Sequence, residues 1–162
     1  MDDALRDRLV RIYADSKTIA VVGASADQSK PSFRIPRYLQ NRGYLIRPVN
    51  PKASARPRGV DLPGSPSARA YVILGEPVAA SLADVALPID VVDVFRPAAE
   101  APGIARQAVA AGAKVLWLQS GIASEEARRI AEDAGLTVVM DRCMGATHAE
   151  LALGPGPPPP QG

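Results

Sequence analysis

Hydrophobic residues along the chain recur with two alternating periods, one typical of helices and one typical of buried strands. At the amino terminus, Leu5, Leu9, Ile12 and Tyr13 fall on one helical face and predict an amphipathic helix that covers a sheet. Five short apolar runs further along the chain predict strands. They are Thr18–Val22, Tyr44–Val49, Val91–Phe95, Val115–Leu118 and Thr137–Met140.

Helices are predicted in three of the gaps between these strands. One ends at Gly43 and tolerates Pro36 because we place that proline in the first turn. Another ends at Gly112, and a third covers Ser124–Ala134 with Ser124 as its N-cap. Strands that are apolar throughout, separated by helices, indicate a parallel sheet covered on both faces. The sequence therefore predicts an α/β fold, a Rossmann-like open and mainly parallel sheet that binds ligands at the carboxyl ends of its strands.

The length and composition predict a single domain. At 162 residues and 47% hydrophobic residues the chain can bury one sizeable core, which we assign to residues 1–153. Residues 53–70 are rich in Ser, Arg and Pro and predict an exposed loop insertion, from which Tyr71–Leu74 can return to the body as a short strand. The proline run of Gly154–Gly162 predicts a disordered tail.

Charge is sorted along the chain. Residues 30–58 contain eight Lys and Arg and no Asp or Glu, which leaves 11 basic residues (19 − 8 = 11) against 17 acidic ones elsewhere. The basic stretch closely follows the predicted first strand and the small-residue turn Gly23-Ala24-Ser25. Small residues before a helix allow an anion to approach free backbone N–H groups. The pattern therefore predicts a site for a phosphate-bearing ligand.

Several other classes of protein are disfavoured. The single cysteine, Cys143, excludes an internal disulfide, and the single histidine, His148, has no clustered partners for a metal. Met1-Asp2-Asp3 is acidic where a signal peptide is basic, and no apolar run approaches the roughly 20 residues of a membrane span. No nucleic-acid motif is present. We expect a cytoplasmic protein with no membrane or nucleic-acid partner and an inert, buried Cys143.

The second predicted strand narrows the choice of cofactor. A nicotinamide dinucleotide site favours G-x-G-x-x-G after the first strand and a carboxylate after the second. Gly23 lacks the glycine partners, and Asn50 and Lys52 follow the second strand instead. A cation there suits a ribose that carries its own phosphate, as in NADP or coenzyme A.

Several sequence blocks, in their order and spacing, resemble the small stand-alone CoA-binding proteins. These proteins are similar to the nucleotide-binding domain of the succinyl-CoA synthetase α-subunit. The resemblance runs roughly from Ile19 to His148. It rests on Thr18–Ser25, Lys30 and Ser32, Tyr38-Leu39, Gly43-Tyr44, Pro48–Pro51, Val91–Pro97, Leu116–Ile122 and Asp141–Cys143.

The resemblance implies coenzyme A as the ligand and suggests where its parts would bind. Gly23, Ala24 and Ser25 would receive the pyrophosphate, with Lys30 and Ser32 adding contacts. The other implied contacts are Val49, Asn50 and Lys52 at the adenosine 3′-phosphate, Phe95 and Arg96 at the adenine or the start of pantetheine, and Gln119, Gly121 and Ile122 toward the thiol.

The chain departs from the family in ways that bear on catalysis. Ala53–Leu74 replaces a short connection, and Thr147 stands where the family tends to have an acidic residue before its histidine. Ligases of the succinyl-CoA synthetase type use a phosphorylated histidine in a separate domain. We therefore expect binding of CoA or an acyl-CoA without catalysis, as a carrier, sensor or regulatory subunit. The alternatives are an NADP-dependent oxidoreductase and the CoA-binding subunit of a multi-chain CoA ligase, and a homo-oligomer or another protein partner is left open.

Overall fold

The computed structural model describes residues 1–52, 60–61, 69–86 and 88–155. The strands are β1 (Thr18–Val22), β2 (Leu45–Val49), β3 (Val60–Asp61), β4 (Arg69–Ala70), β5 (Val72–Ile73), β6 (Glu76–Pro77), β7 (Val91–Val94), β8 (Val115–Leu118) and β9 (Thr137–Val139). The helices are α1 (Asp3–Asp15), α2 (Pro31–Asn41), α3 (Ala101–Ala110), α4 (Glu125–Asp133) and α5 (Met144–Glu150).

The main sheet has five parallel strands in the order β2-β1-β7-β8-β9. β1 lies between β2 and β7, with Val22 level with Val49 on one side and with Val94 on the other. All five strands fall where the apolar runs predicted them, within a residue or so at the ends, as is usual for element boundaries. The predicted α/β, Rossmann-like parallel sheet is confirmed.

Helices cover the sheet on both faces. On one face α1, α2 and α5 bury Leu9, Leu39 and Met144 against the sheet. On the other face α3 and α4 bury small side chains such as Ala105 and Ala127, which let these helices approach closely. The side chain of Ser124 accepts a hydrogen bond from the N–H of Ala127, so the predicted N-cap of α4 is confirmed.

The connection between β2 and β7 departs from the usual crossover helix. Its described residues form two antiparallel pairs, β3 with β4 and β5 with β6, and a short 3-10 turn at Leu82–Asp84. Arg47 of β2 forms an ion pair with Glu76 of β6 at 2.7 Å, which fastens the second hairpin to the edge of the sheet. Strand β5 lies within the returning strand predicted at residues 71–74.

Parts of the sequence interpretation lie outside the described residues. Of the predicted insertion at 53–70 only residues 60–61 and 69–70 are described, and of the predicted tail only 154–155. The single-domain assignment therefore stays a prediction. Within the described ranges, no helix is both long and apolar enough to cross a membrane.

Two helices differ from expectation. Helix α2 begins at Pro31, so Pro36 lies in its second turn and the prediction that Pro36 occupies the first turn is wrong. The sequence interpretation placed the start of this helix too late. Pro31 is itself well suited to the first helical position. Helix α5 was not predicted, since its seven residues present too short a periodic pattern.

Candidate functional site

A cleft of about 470 Å³ opens at the carboxyl ends of β1, β2 and β7. It lies where the strand order reverses, because the chain passes from β1 outward to β2 and then returns to β7 on the other side of β1. Open α/β sheets bind ligands at such a switch point. The cleft is lined by Gly23, Ala24, Ser25, Ala26, Asp27, Lys30, Ser32, Asn50, Pro51, Lys52, Tyr71, Phe95 and Arg96.

Gly23 is the pivot of the turn after β1. Its φ of +88° is strained for any residue with a side chain, and a Cβ placed on it would lie 2.9 Å from Cδ of Arg96 and 3.1 Å from the carbonyl oxygen of Phe95. The N–H of Gly23 donates to the carbonyl of Val49 at 2.9 Å. Glycine is therefore required here both for its backbone conformation and for the close approach of Arg96.

Asn50 organises the loop after β2. Its Nδ2 donates to the carbonyl of Ala24 at 2.9 Å, and its Oδ1 accepts the N–H of Lys52 at 2.9 Å. One amide side chain thus joins the loops that follow β1 and β2. Val49, which is buried, does not line the cleft and contributes its carbonyl to Gly23.

The serine-containing loop before α2 is closed by its own hydrogen bonds. Ser25 donates its N–H to the carbonyl of Ser32 at 3.3 Å and accepts the N–H of Asp27 on Oγ at 3.1 Å. The Asp27 carboxylate accepts two hydrogen bonds from Ser29, and these hold its pKa below the ordinary value. The N–H groups of Gly23 and Ser25 are therefore engaged, whereas that of Ala24 has no partner within the described part of the chain.

Arg96 reaches across the turn from the end of β7. Its Nη2 lies 2.7 Å from Oε2 of Glu100, and its Nε lies 3.1 Å from the same oxygen. Both side chains are nearly half exposed, so we assign this pair little net stability. The pair instead fixes the direction of the guanidinium, while the aliphatic part of the Arg96 side chain passes close to Gly23.

The predicted residues after β8 do not line this cleft. Gln119 is 5% exposed, donates to Asp93 Oδ1 at 2.5 Å and accepts the N–H of Met144 at 3.3 Å. The N–H of Gly121 donates to the Asp141 carboxylate at 2.6 Å, and that of Ile122 donates to the Gln119 carbonyl at 2.9 Å. These three residues build the turn between β8 and α4, and their contact with a ligand stays a prediction.

Asp93 is a buried carboxyl group that the sequence interpretation did not single out. It lies in β7 with no exposed surface, and its Oδ2 has no hydrogen-bond partner among the described residues. Burial raises its pKa to about 7, while the hydrogen bond from Gln119 acts in the opposite direction. An acidic residue inside an apolar strand was the available signal. Asp27 was also missed, although it lines the same cleft as the predicted cations.

His148 lies in the core, away from the cleft. It is 1% exposed, its ring contacts those of Tyr13, Tyr38 and Tyr44 edge to face, and its Nδ1 is 3.0 Å from the hydroxyl of Tyr38. Burial, and then the charge of Arg42, lower its pKa below the ordinary value. No cluster of three or more potential metal ligands occurs within the described ranges.

Cys143 is partly exposed rather than buried as expected. Its Sγ accepts the N–H of Ala146 at 3.4 Å and so caps α5. The indole of Trp117, by contrast, is wholly buried in the core and donates to the carbonyl of Arg142 at 2.7 Å.

Comparison with known proteins identifies the family of this chain. Residues 17–149 match the model of the CoA binding domain. Uncharacterized protein YneT of Bacillus subtilis (strain 168) is 33% identical over 149 residues, which cover 92% of this chain and 98% of that protein. The solved structure of cell-free ID.343 from Thermus thermophilus is 35% identical with a TM-score of 0.77, over 93% of this chain and 99% of that one.

A larger enzyme contains a similar domain. The dinucleotide-forming acetyl-coenzyme A synthetase 1 of Ca. Korarchaeum cryptofilum, solved with phosphate and ADP, is 28% identical with a TM-score of 0.59. The match covers 81% of this chain but only 26% of that enzyme. The resemblance to small CoA-binding proteins is therefore confirmed, and the chain belongs to the CoA binding domain family.

Proposed function

We propose that this protein binds coenzyme A in the cleft at the carboxyl ends of β1, β2 and β7. The observation that carries the proposal is the convergence of Lys30, Lys52 and Arg96, from three separate loops, on one cleft at the switch point of the sheet. Coenzyme A carries a pyrophosphate and a 3′-phosphate, so it offers anionic groups to more than one of these cations. The family membership supports the same ligand.

The pyrophosphate would lie beside the turn after β1. The N–H groups of Ala24 and Ser32, neither of which has a partner among the described residues, are the backbone donors available there. Lys30 stands at the N-cap of α2, where the helix dipole adds to its positive charge. Asp27 opposes this charge, so we expect part of the cation set to compensate for a carboxylate at the rim.

The loop after β2 would receive the ribose phosphate. Asn50 occupies the place where dinucleotide folds carry a carboxylate for the ribose hydroxyls, and its amide is already bonded to Ala24 and Lys52. Lys52 is exposed and lines the cleft, so its ammonium is available to a phosphate. This arrangement favours a ribose that bears a phosphate over the unsubstituted ribose of NAD.

We propose that binding proceeds without chemistry of its own, in a carrier, sensor or regulatory role with CoA or an acyl-CoA. His148 is the only histidine of the chain, and its ring is buried among tyrosines rather than directed to the cleft. A phosphohistidine mechanism of the ligase type would need an accessible ring nitrogen.

A second candidate is a CoA-binding subunit of a multi-chain ligase. The observation that favours it is the match to 26% of an acetyl-coenzyme A synthetase. In such a ligase, the parts equivalent to the rest of that enzyme would reside in another polypeptide.

Incubating the purified chain with CoA, ATP or GTP and carboxylic acids tests catalysis directly. Thioester formation by this chain alone would contradict the non-catalytic proposal.

Thermal shift with CoA, dephospho-CoA, NAD and NADP tests the ligand. A ligand at one hundred times its dissociation constant stabilises the folded state by about 2.7 kcal/mol. We expect a larger shift with CoA than with dephospho-CoA and none with NAD. A shift with NADP and none with CoA would instead support the oxidoreductase alternative.

Lys52→Ala tests the placement of the phosphate. A charge-assisted contact contributes about 1.5–3 kcal/mol, so the variant should bind CoA about tenfold or more weakly and dephospho-CoA almost as well as the wild type. Lys17→Ala removes the same charge at the opposite edge of the sheet and is the matched control. Equal losses for both ligands in Lys52→Ala would place the phosphate elsewhere.

A further inference from the structure

We propose that Pro36 is a positioning residue for the turn after β1. Because proline has no N–H, it leaves the Ser32 carbonyl free to accept the N–H of Ser25. This inference rests on the proposed CoA site. It assigns a function to a proline inside a helix, a position at which proline ordinarily weakens the helix.

The hydrogen bonding of α2 carries the inference. In a regular α-helix the N–H of residue 36 would donate to the carbonyl of residue 32. Proline has no N–H, so that carbonyl receives no helical hydrogen bond from Pro36. The Ser32 carbonyl accepts the N–H of Ser25 instead, at 3.3 Å. The carbonyl that Pro36 leaves without a helical hydrogen bond is therefore the one that accepts the N–H of Ser25.

This bond completes the support of the turn after β1. Gly23 is held to Val49 through its N–H, and Ala24 is held to Asn50 through its carbonyl, both on the β2 side. The Ser25–Ser32 bond is the attachment on the α2 side. With both sides fixed, the N–H of Ala24, which has no partner in the described ranges, and the hydroxyls of Ser25 and Ser32 keep constant positions along the cleft.

Packing alone does not account for the choice of proline. Pro36 is buried with Phe33 and Leu39 on the face of α2 that meets the core. Alanine or a larger aliphatic residue would pack there without removing a helical hydrogen bond. In Pro36→Ala the new N–H would compete with Ser25 for the Ser32 carbonyl and loosen the turn.

The test compares Pro36→Ala with Leu39→Ala, a truncation on the same buried face that leaves the Ser32 carbonyl unchanged. CoA binding is measured by calorimetry well below the melting temperature of each protein. We expect Pro36→Ala to bind CoA about three- to tenfold more weakly, as the loss of one hydrogen bond implies. Its melting temperature should not be lower than that of the wild type. We expect Leu39→Ala to melt lower and to bind CoA like the wild type. A merely structural role for Pro36 would give the Leu39→Ala pattern in both variants.

Amide hydrogen exchange at Ser25 supplies a readout that does not depend on the ligand. The amide should be protected in the wild type and should exchange at least tenfold faster in Pro36→Ala. Rapid exchange in the wild type would overturn the inference even if the variant fails to fold. Failure of the wild type to bind CoA would contradict the proposed function, whereas wild-type affinity in Pro36→Ala would contradict this inference alone.

Discussion

Replacing Asp93 by asparagine should remove a pH dependence of stability that this residue creates. Burial raises its pKa from 3.8 to about 7, a difference of about three units, and each unit corresponds to about 1.4 kcal/mol. Because the folded protein holds the proton more tightly than the unfolded chain, the contribution to stability is full below about pH 4. It is lost as the pH rises to about 7, for a total of about 4 kcal/mol.

The asparagine variant keeps the local contacts and cannot ionise. Its side-chain oxygen can accept the hydrogen bond from Gln119 that Asp93 Oδ1 now accepts. Urea denaturation followed by the fluorescence of Trp117, the only tryptophan, gives the free energy of unfolding at each pH. Subtracting the variant from the wild type cancels titrations common to both, such as that of His148.

We expect the free energy of unfolding of the wild type, relative to that of the variant, to fall by about 3–4 kcal/mol from pH 4.5 to pH 8. The assay needs no ligand, so it is independent of the proposed function. A difference that stays constant over this range would refute the reasoning. It would mean that Asp93 is already ionised in the folded protein over this range, as it is in the unfolded chain.

Three further substitutions separate the cleft from the core. Gly23→Ala should cost about 1–3 kcal/mol of stability through backbone strain, measured by denaturation, and should weaken CoA binding at least tenfold by displacing Arg96, measured by calorimetry. Wild-type affinity would contradict the close approach of Arg96 to Gly23. Gln119→Ala removes the hydrogen bond that Asp93 Oδ1 accepts, so the free energy of unfolding should fall by about 1–3 kcal/mol and its dependence on pH should extend to higher pH. An unchanged pH profile of stability would contradict the pairing. His148→Ala should lose about 2–5 kcal/mol yet bind CoA like the wild type, and a loss of affinity in the folded variant would contradict a purely structural role.

Local features of the fold were predictable because their causes lie within a few residues of one another. The five apolar runs became the five strands of the main sheet, and Ser124 caps α4 through a bond to a residue three positions along. The turn at Gly23 and the basic stretch that follows likewise identified the edge at which the cleft opens. Helix α5 escaped prediction because seven residues do not establish a period.

Features of the site that depend on distant pairs were not predictable. The sequence indicated a small-residue turn with free N–H groups, but Val49 and Ser32 occupy two of them from elsewhere in the chain. It also gave no sign that the side chain of Gln119 reaches Asp93, 26 positions away, across neighbouring strands.

The sequence alone determined which segments are buried, where turns fall and where charge accumulates, because hydrophobic periodicity, glycine and proline geometry and charge act locally along the chain. Tertiary structure decided which donors remain free and which carboxyl group is held out of water. Those outcomes follow from strand order and register, which bring Gly23, Val49 and Arg96 together and bury Asp93 beside Gln119. Hydrogen bonding and desolvation depend on distances in space, whereas the sequence gives only separations along the chain.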